Sequence, residues 1–261
     1  MYIILNGILI FIILLIGIFL IFHMHKQAHT DSFENIRIKD AKYPRKEGDL
    51  SFFFISDIHK RIIQDTTLQQ IGHVQFTVIG GDLCEKGVSL QRVEGNVKKL
   101  KQLGAPIYFI WGNNDVEVSE QDLIATLERN DVHILTNTSV TFELKNGKQV
   151  TLIGLDCDTV RDVDVEAGFK HANGDYIILA IHDPKTFELL NEKEQKRVNL
   201  VVSGHTHGGQ IRILGWGLYP RGGLSKRALT HFFISEGYGT TKLPLRLGTK
   251  AECHRITITS D

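Results

Sequence analysis

Several features that mark large protein classes are scarce in this chain, and each shortage narrows what it can be. The three cysteines, Cys84, Cys157 and Cys253, are scattered and odd in number among 261 residues. They imply no disulfide framework; a reducing compartment is the easier fit, and the sulfurs read as core filler. Neither sign of charge is in surplus, because 30 lysines and arginines face 30 aspartates and glutamates. That balance disfavours a broad nucleic-acid-binding surface, which needs a basic excess, but leaves room for a small anionic substrate held by a few cations. There is no internal repeat and no low-complexity stretch, so an array of repeats is set aside. Hydrophobic content of 42% and charged content of 23% are ordinary for a globular protein. The length suits one large domain or two small ones.

The first thing present is an apolar run at residues 3–22, broken only by Asn6, Gly7 and Gly17. At about 1.5 Å per residue it spans roughly 30 Å, the thickness of a hydrocarbon layer. No lysine or arginine precedes it, it is too long for a signal-peptide core, and His23-Met24-His25-Lys26 is not a small-residue cleavage site. Residues 1–22 are therefore expected to be an uncleaved, single-pass membrane anchor. Lys26, Arg37, Lys39 and Lys42 follow the run, which places the C-terminal bulk in the cytoplasm by the positive-inside rule. Residues 23–48, polar and without clear period, read as a juxtamembrane linker with one edge strand around 33–38. His25 and His29 within it read as solvated interfacial histidines.

The globular part is expected over residues 49–261. Apolar strands are expected at 50–56, 76–79, 106–111, 176–181 and 200–202. Helical spacing covers 88–103, closed by Gly104, and Ser119 is placed as the N-cap of a helix through residue 129. Asn146-Gly147 marks a hairpin between 140–144 and 149–155. A helix over 185–196 and strands at 211–214, 231–235 and 253–259 complete the pattern. These elements give two mixed sheets packed together with helices outside both.

Five of the strand ends carry the same kind of side chain. Asp57 and His59 follow the first, Asp82 the second, Asn113 the third, His182 another, and His205 with His207 the last. Strands in layered α/β folds deliver their carboxyl ends to a common crevice. His205 and His207, two apart in extended backbone, can point to one side. Seven oxygen and nitrogen ligands without a thiolate describe a site for manganese, iron or zinc, and they are too many for one ion. Two neighbouring cations with a shared carboxylate lower the pKa of a water between them and stabilise an in-line displacement at phosphorus. The composition of the site thus points to phosphoester hydrolysis.

In order and spacing, Asp57-Ile58-His59, Gly81-Asp82, Gly112-Asn113-Asn114-Asp115, His182 and Gly204-His205-Thr206-His207-Gly208-Gly209-Gln210 resemble the motifs of calcineurin-like metallophosphoesterases. The likeness covers about residues 50–259. The segment from Glu236 to Arg246 looks like the bacterial membrane-associated branch. The resemblance implies a four-layer α/β/β/α sandwich. It also implies one metal on Asp57, His59, Asp82 and His207 and another on Asp82, Asn113, His182 and His205, with Asp82 bridging.

One position departs from the family pattern. Asn114 stands where the family has a histidine that contacts phosphate and protonates the leaving oxygen. An asparagine can donate a hydrogen bond to a phosphoryl oxygen but is no general acid at neutral pH. The expectation is a membrane-tethered phosphodiesterase or pyrophosphate-type hydrolase acting on a phosphoester, lipid-linked among the options. The alternative is a metal-holding regulatory protein of little turnover. Asp115, deprived of that histidine, is expected to cap a turn. Lys60, Arg61, Arg212 and Arg246 are the cations available for phosphate, and Arg246 is preferred for substrate binding.

Overall fold

The computed structural model describes residues 2–44, 48–144 and 147–260. The first half of the chain supplies strands β1 (Asp31–Lys39), β2 (Leu50–Ile55), β3 (Phe76–Gly80), β4 (Ile107–Ile110) and β5 (Val132–Ile134). The second supplies β6 (Thr138–Glu143), β7 (Gln149–Gly154), β8 (Tyr176–Ala180), β9 (Leu200–Ser203), β10 (Gly223–Arg227), β11 (Thr230–Ile234) and β12 (Ala251–Thr259). The helices are α1 (Tyr2–His29), α2 (Asp65–Leu68), α3 (Leu90–Lys101), α4 (Glu120–Glu128), α5 (Val165–Phe169) and α6 (Glu192–Arg197).

Two six-stranded mixed sheets form, in the orders β1-β12-β2-β3-β4-β5 and β10-β11-β9-β8-β7-β6. The continuous apolar run Phe52-Phe53-Phe54-Ile55 fits a strand covered on both faces. Phe52 and Phe54 point one way, against Phe76 and Val78 and against Leu152, Ile178, Val202 and Phe233 of the second sheet. Phe53 and Ile55 point the other way, onto Val93, Val97 and Leu100 of α3 and Leu123 and Leu127 of α4. On the far side, Ile153, Leu179 and Val201 meet Phe169 of α5 and Val198. The result is the expected four layers, α/β/β/α. Each fully buried side chain of this size stabilises the fold by about 1.5–3 kcal/mol.

The local signals behave as their chemistry requires. Ser89 and Ser119 accept from the N–H groups of Arg92 and Asp122 as caps of α3 and α4. Hairpin strands β6 and β7 pair antiparallel; of their turn, Lys145 and Asn146 lie outside the described residues.

Three expectations are corrected. The stretch 23–48 is less of a linker than expected, because α1 continues to His29; the edge strand expected around 33–38 is present as β1, which pairs in parallel with β12 from Asp31↔Ala251 to Lys39↔Thr259. Its polar residues suit an edge strand with one face on the body. The helix over 185–196 is split, because Asn191 accepts from the N–H groups of Lys193 and Glu194 and starts α6 afresh after a 3-10 turn at Pro184–Leu189. Residues 211–214 make only isolated bridges, Ile211 to Leu247 and Ile213 to Trp216.

Candidate metal centre

Strands β2, β3 and β4 run parallel in one sheet, and β7, β8 and β9 run parallel in the other. Their carboxyl ends open into one region, and the seven side chains expected there converge on it. His59 Nε2 lies 3.2 Å from His207 Nε2 and 3.7 Å from Asp82 Oδ2. His207 Nε2 is 3.4 Å from Asp57 Oδ1. On the other side of Asp82, His182 Nε2 is 3.4 Å from the same Oδ2 and 3.2 Å from Asn113 Oδ1. His205 Nδ1 is 2.8 Å from Asn113 Oδ1. Asp82 Oδ2 thus faces both histidine groups, while Oδ1 accepts from the N–H of Asn114 at 2.7 Å.

The backbone is strained to achieve this. Asp57, His59, Asp82, His205 and His207 all have φ between 49° and 68°, a region that side-chain-bearing residues seldom occupy. Such conformations cost on the order of 1–3 kcal/mol each and persist where the surroundings over-determine them, typically at functional sites. Space is equally tight. A Cβ on Gly112 would sit 2.2 Å from Asp82 N, and one on Gly204 would sit 2.3 Å from Asp57 Oδ2.

Polar groups behind the site orient two of the rings. His182 Nδ1 donates to Gly80 O at 2.9 Å, and His59 Nδ1 lies 2.9 Å from Glu85 Oε2. In the neutral rings both Nε2 lone pairs then face the centre. Burial opposes the charge on His59 and His182, but the Glu85, Asp82 and Asp57 carboxylates outweigh it and raise both pKa values. Burial also works against charge on Asp82, yet His182 and His59 hold its carboxyl well below the usual range. Burial pulls His207 down to about 3 and, with His182 nearby, lowers His205, so both rings are neutral. Buried imidazole and carboxylate atoms of this kind, within 4.8 Å of one another in two groups, Asp57-His59-His207 and Asp57-Asp82-His182, could hold metal. The donors are hard to borderline, and cations can take the places that protons hold on His59 and His182. The residues therefore fit divalent ions.

Residues 50–209 match the model of the calcineurin-like phosphoesterase family. The chain belongs to that family. YpbG of Bacillus subtilis (strain 168) is 42% identical over 239 residues, covering 90% of this chain and 87% of YpbG. The metallophosphoesterase YkoQ of the same organism is 26% identical over 235 residues, 82% of this chain and 84% of its own length. A transmembrane protein with metallophosphoesterase domain from Bos taurus is 27% identical over 259 residues, 88% of this chain but 58% of that longer protein.

In this member of the family the remaining expected residues fare differently. Asn114 lies at the cleft, but its Nδ2 donates to Glu117 Oε1 at 3.1 Å and its Oδ1 accepts from Asn113. Asp115 is buried and accepts from the N–H groups of Asp82, Cys84 and Gly112, tying two ligand loops together. Burial and the Asp82 charge raise its pKa against those donors. Arg246 is not placed for substrate. It is 0% exposed and donates through Nη2 to the carbonyls of Glu236, Gly237 and Gly239 at 2.6, 2.9 and 2.7 Å. It holds the loop beneath His207 in place. The other suggested cations are also engaged: Lys60 with Glu85, Arg61 with Asp31, and Arg212 with backbone carbonyls.

Two residues escaped the sequence reading. Glu85 orients His59 and is buried, yet in sequence it looks like any acid in a turn. Lys242 lines the cleft of about 500 Å³ beside Asn114, His205, Tyr219 and Leu243, and nothing in its local sequence marks it.

Proposed function

We propose that the chain is a membrane-tethered, dinuclear-metal phosphodiesterase or pyrophosphate-type hydrolase. The observation that carries this reading is the convergence of seven oxygen and nitrogen ligands from five separate strand ends. Asp57, His59, Asp82 and His207 would hold one ion and Asp82, Asn113, His182 and His205 the other, with Asp82 shared. When bound, such ions supply Lewis acidity at phosphoryl oxygens and an activated water. Manganese, iron and zinc all suit these donors.

The chain's own groups do the rest. Glu85 and the Gly80 carbonyl hold the His59 and His182 rings at fixed orientation. Asp115 clamps the Asp82 and Asn113 loops together, so that the ligands are set before substrate arrives. Lys242, at the cleft wall, is the side chain assigned to substrate phosphate in place of Arg246. Asn114 contributes hydrogen bonding and no proton, which suits substrates whose leaving group departs without protonation, such as nucleoside phosphates. Helix α1 would anchor the domain in the cell membrane, with the catalytic part in the cytoplasm, near a phosphoester that is lipid-linked or at the membrane surface.

The test uses the full chain in detergent with manganese and a chromogenic phosphodiester. Turnover that Asp82→Asn abolishes supports the reading. Stoichiometric metal with no turnover on a broad phosphoester panel would instead make it a metal-holding regulatory protein.

A further inference from the structure

The whole chain is charge-balanced, but the part from His205 to Ala251 is not. It carries seven lysines and arginines, from Arg212 to Lys250, against a single acid, Glu236. Arg246 is buried, Arg212 is bonded to carbonyls, Arg221 and Lys250 are ion-paired, and Lys226, Arg227 and Lys242 are exposed. Within this basic segment, the loop after the turn at His207–Gly209 displays Leu214, Trp216 and Leu218 at 96%, 82% and 92% exposure. Nearby Leu243 is exposed as well. The loop is ordered around a cation. Ile213 and Trp216 exchange two backbone hydrogen bonds of 2.9 Å. Arg212 donates to the carbonyls of Gly208, Tyr219 and Gly215 at 2.8, 2.7 and 2.6 Å. A guanidinium turned inward with leucines and a tryptophan turned outward reverses the arrangement that water selects.

The loop is also tied to α1. Arg212 N donates to Leu247 O at 2.8 Å, and the adjoining Arg246 N donates to Met24 O of α1 at 3.1 Å. Arg61 Nη1 donates to Ala28 O at 2.5 Å, fixing the helix end to the body. The root of the apolar loop and the end of the apolar helix therefore hang from two consecutive residues, Arg246 and Leu247. Residues 3–22 of that helix are solvent-facing almost throughout, and Leu218, Tyr219, Lys242 and Leu243 form part of the cleft wall.

We propose that the Ile211–Tyr219 loop and Leu243 dock on the bilayer that α1 crosses, so that the cleft opens at an anionic lipid surface. An indole and leucines suit the headgroup level, and the exposed Lys242 next to Leu243 complements the negative charge of that surface. The proposal rests on α1 being the membrane anchor and is independent of turnover.

The chain's two tryptophans provide the test, since Trp111 is buried and Trp216 is exposed. The full chain is reconstituted in phosphatidylethanolamine–phosphatidylglycerol vesicles, with and without brominated acyl chains that quench indole emission. The emission that disappears on Trp216→Phe reports the loop. A second variant carrying Trp216→Phe with Phe11→Trp reports the helix. The expected result is loss of most Trp216 emission in brominated vesicles, with Trp111 unaffected. Unquenched Trp216 beside a quenched helix reporter overturns the docking and leaves the anchor standing; a second copy or a soluble partner then covers the loop. If neither reporter is quenched, docking and anchor fall together.

Discussion

Arg246 offers a sharp contrast between a substrate contact and a structural clamp. Its guanidinium is fully buried, and burial lowers its pKa to about 10, so it is charged at neutral pH. Nη2 makes three short hydrogen bonds to the loop Glu236–Gly239, and Nη1 reaches Thr249 at 3.2 Å and His207 O at 3.5 Å. A hydrogen bond to a charged group contributes about 1.5–3 kcal/mol. Relaxation returns part of this, and disrupting a buried charged network typically costs about 3–5 kcal/mol. For a domain of this size each kcal/mol moves the melting temperature by about 2–4 °C, so Arg246→Ala should lower it by roughly 6–20 °C. Arg246→Lys should restore little, because an ammonium cannot span the same carbonyls. Thermal unfolding of the full chain in detergent, followed by near-ultraviolet circular dichroism, measures the effect. A variant that melts like the wild type and only raises the Michaelis constant would refute the reasoning and return Arg246 to substrate binding.

Further outcomes follow from the same geometry. Glu85→Gln, which weakens the acceptor facing His59 Nδ1, should reduce metal affinity about 10- to 100-fold; competition with a fluorescent chelator reads it. Asn114→His places an imidazole beside Glu117 and should raise turnover on poor leaving groups, towards the hundred- to ten-thousandfold typical of general acids. Activated aryl esters should gain far less, and an equal gain on both would contradict the role given to Asn114. Metal affinity should also fall with acidity. The pKa values of His59 and His182 are raised, so protons begin to compete for both rings above the ordinary histidine value of about 6.5. Affinity should therefore climb with pH through and beyond neutrality, with protons released on binding, as calorimetry in buffers of different ionisation enthalpy would register.

The ligands were legible because each interrupts an apolar strand with a polar residue at its carboxyl end, a pattern that both periodicity and fold rules can read. The sheets were legible for the same reason, since β2, β3, β4, β8 and β9 are buried from end to end. Elements whose signal is tertiary were harder. Strand β1 was legible as an edge strand around 33–38, but its parallel partner β12, more than two hundred residues away, was not. The apolar run at 211–214 resembled a strand, but its leucine and isoleucine point outward from a turn built on Arg212. Arg246 resembled a substrate-binding cation because no local pattern separates an arginine that binds carbonyls from one that meets a ligand. Glu85 was invisible because its importance lies in facing His59, which only the folded chain arranges.

Manganese anomalous scattering from crystals of the full chain tests the central claim most directly. The account predicts two peaks flanking Asp82 Oδ2, one among Asp57, His59 and His207 and one among Asn113, His182 and His205. A lone peak, or density at neither place in protein saturated with metal, would contradict it.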